Sequence, residues 1–394
     1  MQMLRKELVL LFFLLQANIS SAIGLTHYNV MYLLTFLVLL CFAFSAKKKR
    51  QFYFVSFSLV ALFLYRYSLN ILSESIQTSI ILAFPALFIL VFPDDANNPR
   101  NLTFYKFLGK CVVVYVCLEF LFSYVEFVGH FSILGYTNST YGIGSGPMTR
   151  ATALSGSYLS NALIVSGFLF FVLCSNLKDK FKYPIWIAGF LSLMCFQGRI
   201  AMIVSLLYLC VYLFVHLKKN KSKFLNILFF IGMVFVVVSL AFFFGLGERL
   251  VNLGIFDENS SGVRSKMFEY ILENYKLKDF IQGMSMKELT YVMLSMKVLI
   301  IECFFVIHLL LLGVFFVVLF YSQYVLIIKN LLCEYGFFFK TVAVSAFFLI
   351  AFINNSLASD YVPLSFFLLF AKIFSPSIFC KIVPSKYLNS PMRY

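Results

Sequence analysis

Hydrophobic runs, most of them somewhat shorter than the roughly 20 residues that cross a bilayer as a helix and one, Val298–Ile328, longer, follow one another along this chain with short polar joints between them. The pattern predicts an all-α fold of twelve helices. They span Leu8–Ile23, Val30–Ala46, Phe52–Tyr65, Ile80–Phe92, Phe107–Val128, Leu159–Cys174, Tyr183–Phe196, Ile200–Val215, Phe224–Phe244, Val298–Ile328, Thr341–Ile353 and Tyr361–Phe379. Two polar stretches interrupt the series. One is a loop from His130 to Tyr158, and the other, Gly247–Tyr291, is the longest polar interruption in the sequence.

Composition turns this helical pattern into a membrane pattern. The chain is 61% hydrophobic and 12% charged, with 51 Phe among 394 residues. A water-facing globular surface draws on roughly a quarter charged residues, so lipid is expected to cover most of this one. The prediction is a single polytopic membrane domain over residues 1–394, not two or three soluble domains. Arg5 and Lys6 ahead of the first apolar run have the layout of a secretory signal; in a polytopic chain the expectation is a first helix that stays.

The net charge of +15 raises the question of nucleic acid, and position answers it. Of the 32 basic residues, 21 fall in alternate joints: Arg5 and Lys6, Lys47–Arg50, Arg100 to Lys110, Lys178–Lys182, Lys218–Lys223, Lys329 and Lys340, and Lys381 to Arg393. That is the positive-inside distribution. It orients both termini and these joints toward the cytoplasm, and the loops 130–158 and 247–291 outward. The charge is accounted for without nucleic acid. The nine Cys form no CxxC, and most lie inside apolar runs, so neither a disulfide framework nor a zinc site is indicated.

Basic residues on the outer side then need a reason. Arg150, Arg199 and Arg264 stand at the ends of apolar runs, and Arg249 is a fourth. Guanidinium groups converging at a membrane surface suit an anionic headgroup such as a diphosphate; each could equally solvate a helix end or pair with Glu258, Glu269 or Glu302. Ser260 or Ser261 can cap a short amphipathic helix from Gly262, with Val263, Met267, Ile271, Leu272 and Tyr275 on one stripe and Arg264 in its first turn. In the first loop Gly142, Gly144 and Gly146 permit tight turns near Tyr141, without the spacing of a dinucleotide fingerprint. Glu302 lies in an apolar run, where an ionisable group is costly and therefore a functional candidate. His308 reads as a hydrogen-bonded core residue. No His pair, HExxH or acidic cluster supports a metal, and no cofactor is implied.

Several of these pieces, in order, resemble the bacterial Wzy-type O-antigen polymerases and the related ligases. The matching residues are Arg150-Ala-Thr-Ala-Leu-Ser-Gly156, Gln197-Gly-Arg199-Ile-Ala201, Ser261-Gly-Val-Arg264-Ser-Lys-Met-Phe-Glu269, Phe280-Ile-Gln-Gly283, Ile301-Glu302, and Leu312-Gly313-Val314. The chain departs from the pattern at Ser157-Tyr158, where relatives carry Pro-Asn. It departs again at Glu302-Cys303, where ligases carry a His-Asn-like pair, and at Ser285, where a second glycine is usual.

The resemblance implies glycosyl transfer at the outer face of the bacterial inner membrane, from undecaprenyl diphosphate to the sugar of another lipid-linked repeat unit. Arg264 and Arg150 would act on the diphosphate and Glu302 on the attacking hydroxyl. Arg199, Arg249, Tyr158 and Gly283 would bind substrate. Lipid and a chain-length regulator protein are the partners it implies. A ligase of the same family and a transporter for lipid-linked oligosaccharide are the competing expectations. A transporter is expected to show paired halves and broken helices, and the sequence pattern shows neither.

Overall fold

The computed structural model describes residues 97–134, 150–219, 276–295, 304–353 and 362–389, with single positions elsewhere. Every regular element among them is helical. In chain order they are α1 (Pro99–Gly129), α2 (Tyr158–Cys174), α3 (Asp179–Phe196), α4 (Arg199–Lys219), α5 (Leu277–Gln282), α6 (Met286–Ser295), α7 (Phe304–Leu331), α8 (Phe337–Ile353), α9 (Val362–Ile373) and α10 (Pro376–Ile382). A single 3-10 turn, Ser385–Tyr387, follows. By length and composition α1 is long and apolar enough to cross a membrane, and α9 with α10 qualifies as a second only if that bent pair is one span.

The centre of the bundle is α2. It carries no charged residue, and every residue from Ser160 to Leu173 is buried. A helix that is apolar all round needs neighbours on all sides, and α2 packs against α3, α4, α8 and α9. Its phenylalanines interlock with those of α9 as edge-on pairs, Phe168 with Phe370 at 5.5 Å and Phe171 with Phe367 at 5.3 Å between ring centroids. Aromatic quadrupoles favour that geometry over face-to-face stacking. Ser166 and Ser205 share a hydrogen bond of 3.0 Å between α2 and α4, and Ser123 and Ser192 one of 2.7 Å between α1 and α3.

The exposure pattern of α1 is the reverse of a water-soluble helix. Val113 and Val114 are 60% and 58% exposed, whereas Glu119 and Glu126 are each 1% exposed. This holds in the second half of α1, whereas the first half buries Tyr105 and Leu108 and exposes Lys106 and Lys110.

The two ends of the bundle differ in character. At one end Lys381 donates to Asn97 at 2.5 Å, Lys178 to the carbonyl of Lys386 at 2.7 Å, and the Ser377 hydroxyl to Glu334 at 2.6 Å. The joints at 97–100, 175–178 and 332–336 therefore meet the last described residues there, and Asn389 bonds back to the Asn176 carbonyl. The other end holds the turns at 130–134, 150–156 and 197–199.

The helix bounds expected from sequence fall within a turn or so for α2, α3, α4 and α8, and α1 begins two turns earlier. One expectation is corrected. The run through Gly313 is not a continuous helix, because Gly313 takes φ 71°, ψ 164° and breaks α7. The run from Tyr361 also bends, by 74° between the segments Pro363–Ile373 and Pro376–Ile382. Broken helices are thus present where the sequence pattern indicated none.

Candidate functional site

Two of the predicted site residues meet at the turn that begins with Arg150. The Arg150 guanidinium lies over the Tyr158 ring, its central carbon 4.4 Å from the centroid. Tyr158 opens α2, and Ser157 caps that helix by accepting from the Ser160 N–H at 3.3 Å. Ser157 thus serves as the N-cap of α2.

The turn itself is fastened from three helices. The Ala151 N–H donates to the Cys195 carbonyl at the end of α3, 3.1 Å away. Asn161 of α2 donates to the Thr152 carbonyl at 2.5 Å. The strongest attachment is to α1. Glu126 Oε2 accepts from the N–H groups of Thr152 and Ala153, at 2.8 and 2.7 Å, and from the Thr152 hydroxyl at 3.2 Å. Glu126 Oε1 accepts from the Ile133 N–H at 2.9 Å and the Ser132 hydroxyl at 3.3 Å. Two helical turns earlier in α1, Glu119 Oε2 accepts from the Leu154 N–H at 3.3 Å.

Successive N–H groups pointing into one concavity make an anion site. Ala153 adopts φ 42° to form it, a left-handed conformation that is costly outside glycine. Here the anion is the protein's own carboxylate. The backbone donors of this turn are therefore occupied, and the guanidinium of Arg150, half-exposed, is what the turn offers to a ligand.

Arg199 begins α4 at the same end of the bundle. It follows Gln197, which closes α3 in the left-handed conformation with φ 53°, and Gly198. A Cβ at Gly198 would stand 2.8 Å from the Ala162 Cβ, so the absent side chain lets α4 start directly against α2. The pieces Arg150–Gly156 and Gln197–Ala201 thus lie together, joined through the bond from Ala151 to Cys195.

Gly283 belongs to a different junction. It follows α5 with φ 75° and lies against the Gly313 break of α7, where the Met284 N–H donates to the Leu310 carbonyl at 2.7 Å. Ser285 caps α6 with a reciprocal pair: its N–H donates to Glu288 at 2.7 Å, and its hydroxyl accepts from the Glu288 N–H at 3.1 Å. His308 is buried, with Nδ1 2.5 Å from the Tyr321 hydroxyl, in agreement with a hydrogen-bonded core role. Arg264, Arg249 and Glu302 lie outside the described residues, as does the amphipathic helix expected from Gly262.

Sequence reasoning passed over Glu119 and Glu126. The signal was present, since both are carboxylates inside an apolar run, and the cost that singled out Glu302 applies equally to them. It also passed over the Ser285-Met-Lys-Glu288 capping box, whose spacing is diagnostic. Among the described residues no three His, Cys, Asp or Glu side chains converge as a metal site would require. Comparison with protein-family models, with curated proteins and with solved structures returns no match.

Proposed function

We propose that this protein is an inner-membrane glycosyltransferase of the O-antigen polymerase type, with twelve membrane spans and both termini cytoplasmic. It moves a glycan from undecaprenyl diphosphate to a sugar hydroxyl of another lipid-linked repeat unit at the outer face. The observation that carries this reading is the shared end of Arg150, Tyr158 and Arg199, opposite the end where Lys178 and Lys381 engage the tail. The outward apolar and inward acidic faces of α1 support the membrane setting.

In this reading the leaving diphosphate gains negative charge in the transition state, and guanidinium groups already in place stabilise it without a metal. Arg150 is held by its turn and by the Tyr158 ring, so little reorganisation accompanies the reaction. Arg199 and Arg249 bind the substrate, Arg264 shares the diphosphate, Glu302 takes the proton of the attacking hydroxyl, and Gly283 shapes the substrate side. The test is in cells. Arg150→Ala and Arg264→Ala at normal protein levels leave lipopolysaccharide capped with a single repeat, and unchanged chain lengths refute the assignment.

The break at Gly313 and the 74° bend before Pro376 favour a second reading, a transporter for the same lipid-linked sugar. The strain lacking the protein separates the two. Loss of a polymerase gives one-repeat caps. Loss of a transporter leaves the lipid-linked repeat in the cytoplasmic leaflet and no cap, and loss of a ligase leaves bare core with polymer still on its lipid.

A further inference from the structure

A carboxylate that accepts five hydrogen bonds from two separate loops is an unusual use of a buried charge-bearing group. We propose that Glu126 is a positioning residue, which fixes the place of the Arg150 guanidinium by binding the turn from beneath; the inference rests on the polymerase reading given above. Burying a carboxyl group carries a desolvation cost that only a full set of donors offsets. A helix meant only to pack would have carried a leucine at this place. The five donors come from Ser132, Ile133, Thr152 and Ala153. Residues 132–133 lie just after α1, and residues 152–153 lie two and three positions beyond Arg150. Glu126 therefore ties the turn after α1 to the turn before α2.

Two further observations bear on position and not merely on stability. Ala153 is kept at φ 42°, a strained value that persists only when surroundings over-determine it. The N–H groups of 151, 152, 153 and 154 are each bonded, to Cys195, Glu126, Glu126 and Glu119 respectively. The backbone leading out of Arg150 is thus bonded at four successive N–H groups, two of them to Glu126, and the guanidinium lies over the Tyr158 ring. A glutamine at 126 has one accepting oxygen in place of two, so one of the two loops loses its partner and meets an NH2 group instead.

The experiment uses the full chain in two measurements. Amide hydrogen exchange of purified protein is followed over 130–134 and 150–157 for Glu126→Gln and Glu126→Asp. Glycan length is measured in cells carrying the same variants at matched membrane abundance, beside Arg150→Ala. The expected result is at least about tenfold faster exchange in one of the two loops for Glu126→Gln and a shift toward one-repeat chains. Glu126→Asp, which retains the carboxylate, recovers part of both. Lys182→Met, a destabilising change at the far end of the bundle, serves as control and leaves chain length unchanged at matched abundance. If Glu126→Gln fails to accumulate, Thr152→Ala removes the hydroxyl that contacts Glu126 and Ser132 and gives a smaller change in the same two readouts. Unchanged exchange overturns the proposal, and so does faster exchange with normal chain length while Arg150→Ala shortens the chains. If Arg150→Ala itself leaves chain length normal, the polymerase reading fails, and faster exchange in Glu126→Gln then marks a fold contact with no part in the reaction.

Discussion

Gly283 and Gly313 stand back to back. A Cβ on Gly283 would lie 2.4 Å from the Leu311 carbonyl oxygen, and one on Gly313 would lie 2.2 Å from the Ile281 carbonyl oxygen. Both have positive φ, 75° and 71°. The obstructing atoms are backbone and cannot swing aside. Gly283→Ala or Gly313→Ala is expected to cost about 2–4 kcal/mol from conformational strain plus the clash, read as a lower midpoint in thermal unfolding of the detergent-purified chain. The double variant is expected to cost less than the sum, since the two changes disturb one contact. Strict additivity would show that the two segments do not touch.

Gly198 lacks conformational need and has instead a spatial one, with the Ala162 Cβ 2.8 Å from where its own would be. Gly198→Ala is expected to push the start of α4 away from α2 and carry Arg199 with it. Under the proposed function the outcome is shortened glycan at normal abundance. Ala162→Gly opens the matching space on α2, so the pair should restore chain length. Failure of the second change to rescue the first would count against a Gly198–Ala162 contact.

Lys182 is 1% exposed, and its amine donates to the Leu173 carbonyl at 2.8 Å and to the Tyr212 hydroxyl at 3.3 Å. Tyr212 in turn donates to Asp179 at 3.0 Å. The lysine satisfies a carbonyl in the last turn of α2, where a cation is favoured by the helix dipole. Lys182→Met keeps the length of the side chain and removes the donor, at an expected cost of about 1–3 kcal/mol. A variant melting with the parent protein would refute the capping role.

Tyr158 gives a graded test of the guanidinium–ring contact. Tyr158→Phe keeps the face over which Arg150 lies, whereas Tyr158→Leu removes it, forfeiting about 0.5–2 kcal/mol of cation–π attraction. Under the proposed function the leucine variant is expected to shorten glycan chains toward the pattern of Arg150→Ala, with the phenylalanine variant between it and the parent. Equal effects from both would assign the role to the hydroxyl.

The helical architecture was legible because apolar run length is a coarse quantity that survives errors of a turn at each end. α2 and α8 were read to within four residues at their starts and to the residue at their ends. The grouping of Arg150 with Tyr158 was legible too, through their shared loop. What escaped were contacts between residues far apart in sequence. Nothing local distinguishes Gly313 from any other glycine in an apolar run; its break exists because Gly283, thirty residues earlier, needs the same space. Glu126 stood out as a carboxylate in an apolar run, but its partners were hidden for the same reason. Three of its five donors lie 26 and 27 positions downstream, beyond the reach of any local pattern.

The tail that closes the bundle has a consequence for biogenesis. Lys178 takes its acceptor from Lys386, 208 positions later, and Asn389 reaches Leu177 across 212. α2, already synthesised, waits for α9 to fill its side, and at bacterial or eukaryotic elongation speeds that interval is about 10–40 s. During it the central helix presents an unfilled flank, with Phe168 and Phe171 open to whatever is nearby. Something other than α9 must occupy that flank until α9 arrives, which under the proposed function is lipid or the insertion machinery, and ribosome pausing between α4 and α9 would lengthen the time it spends open.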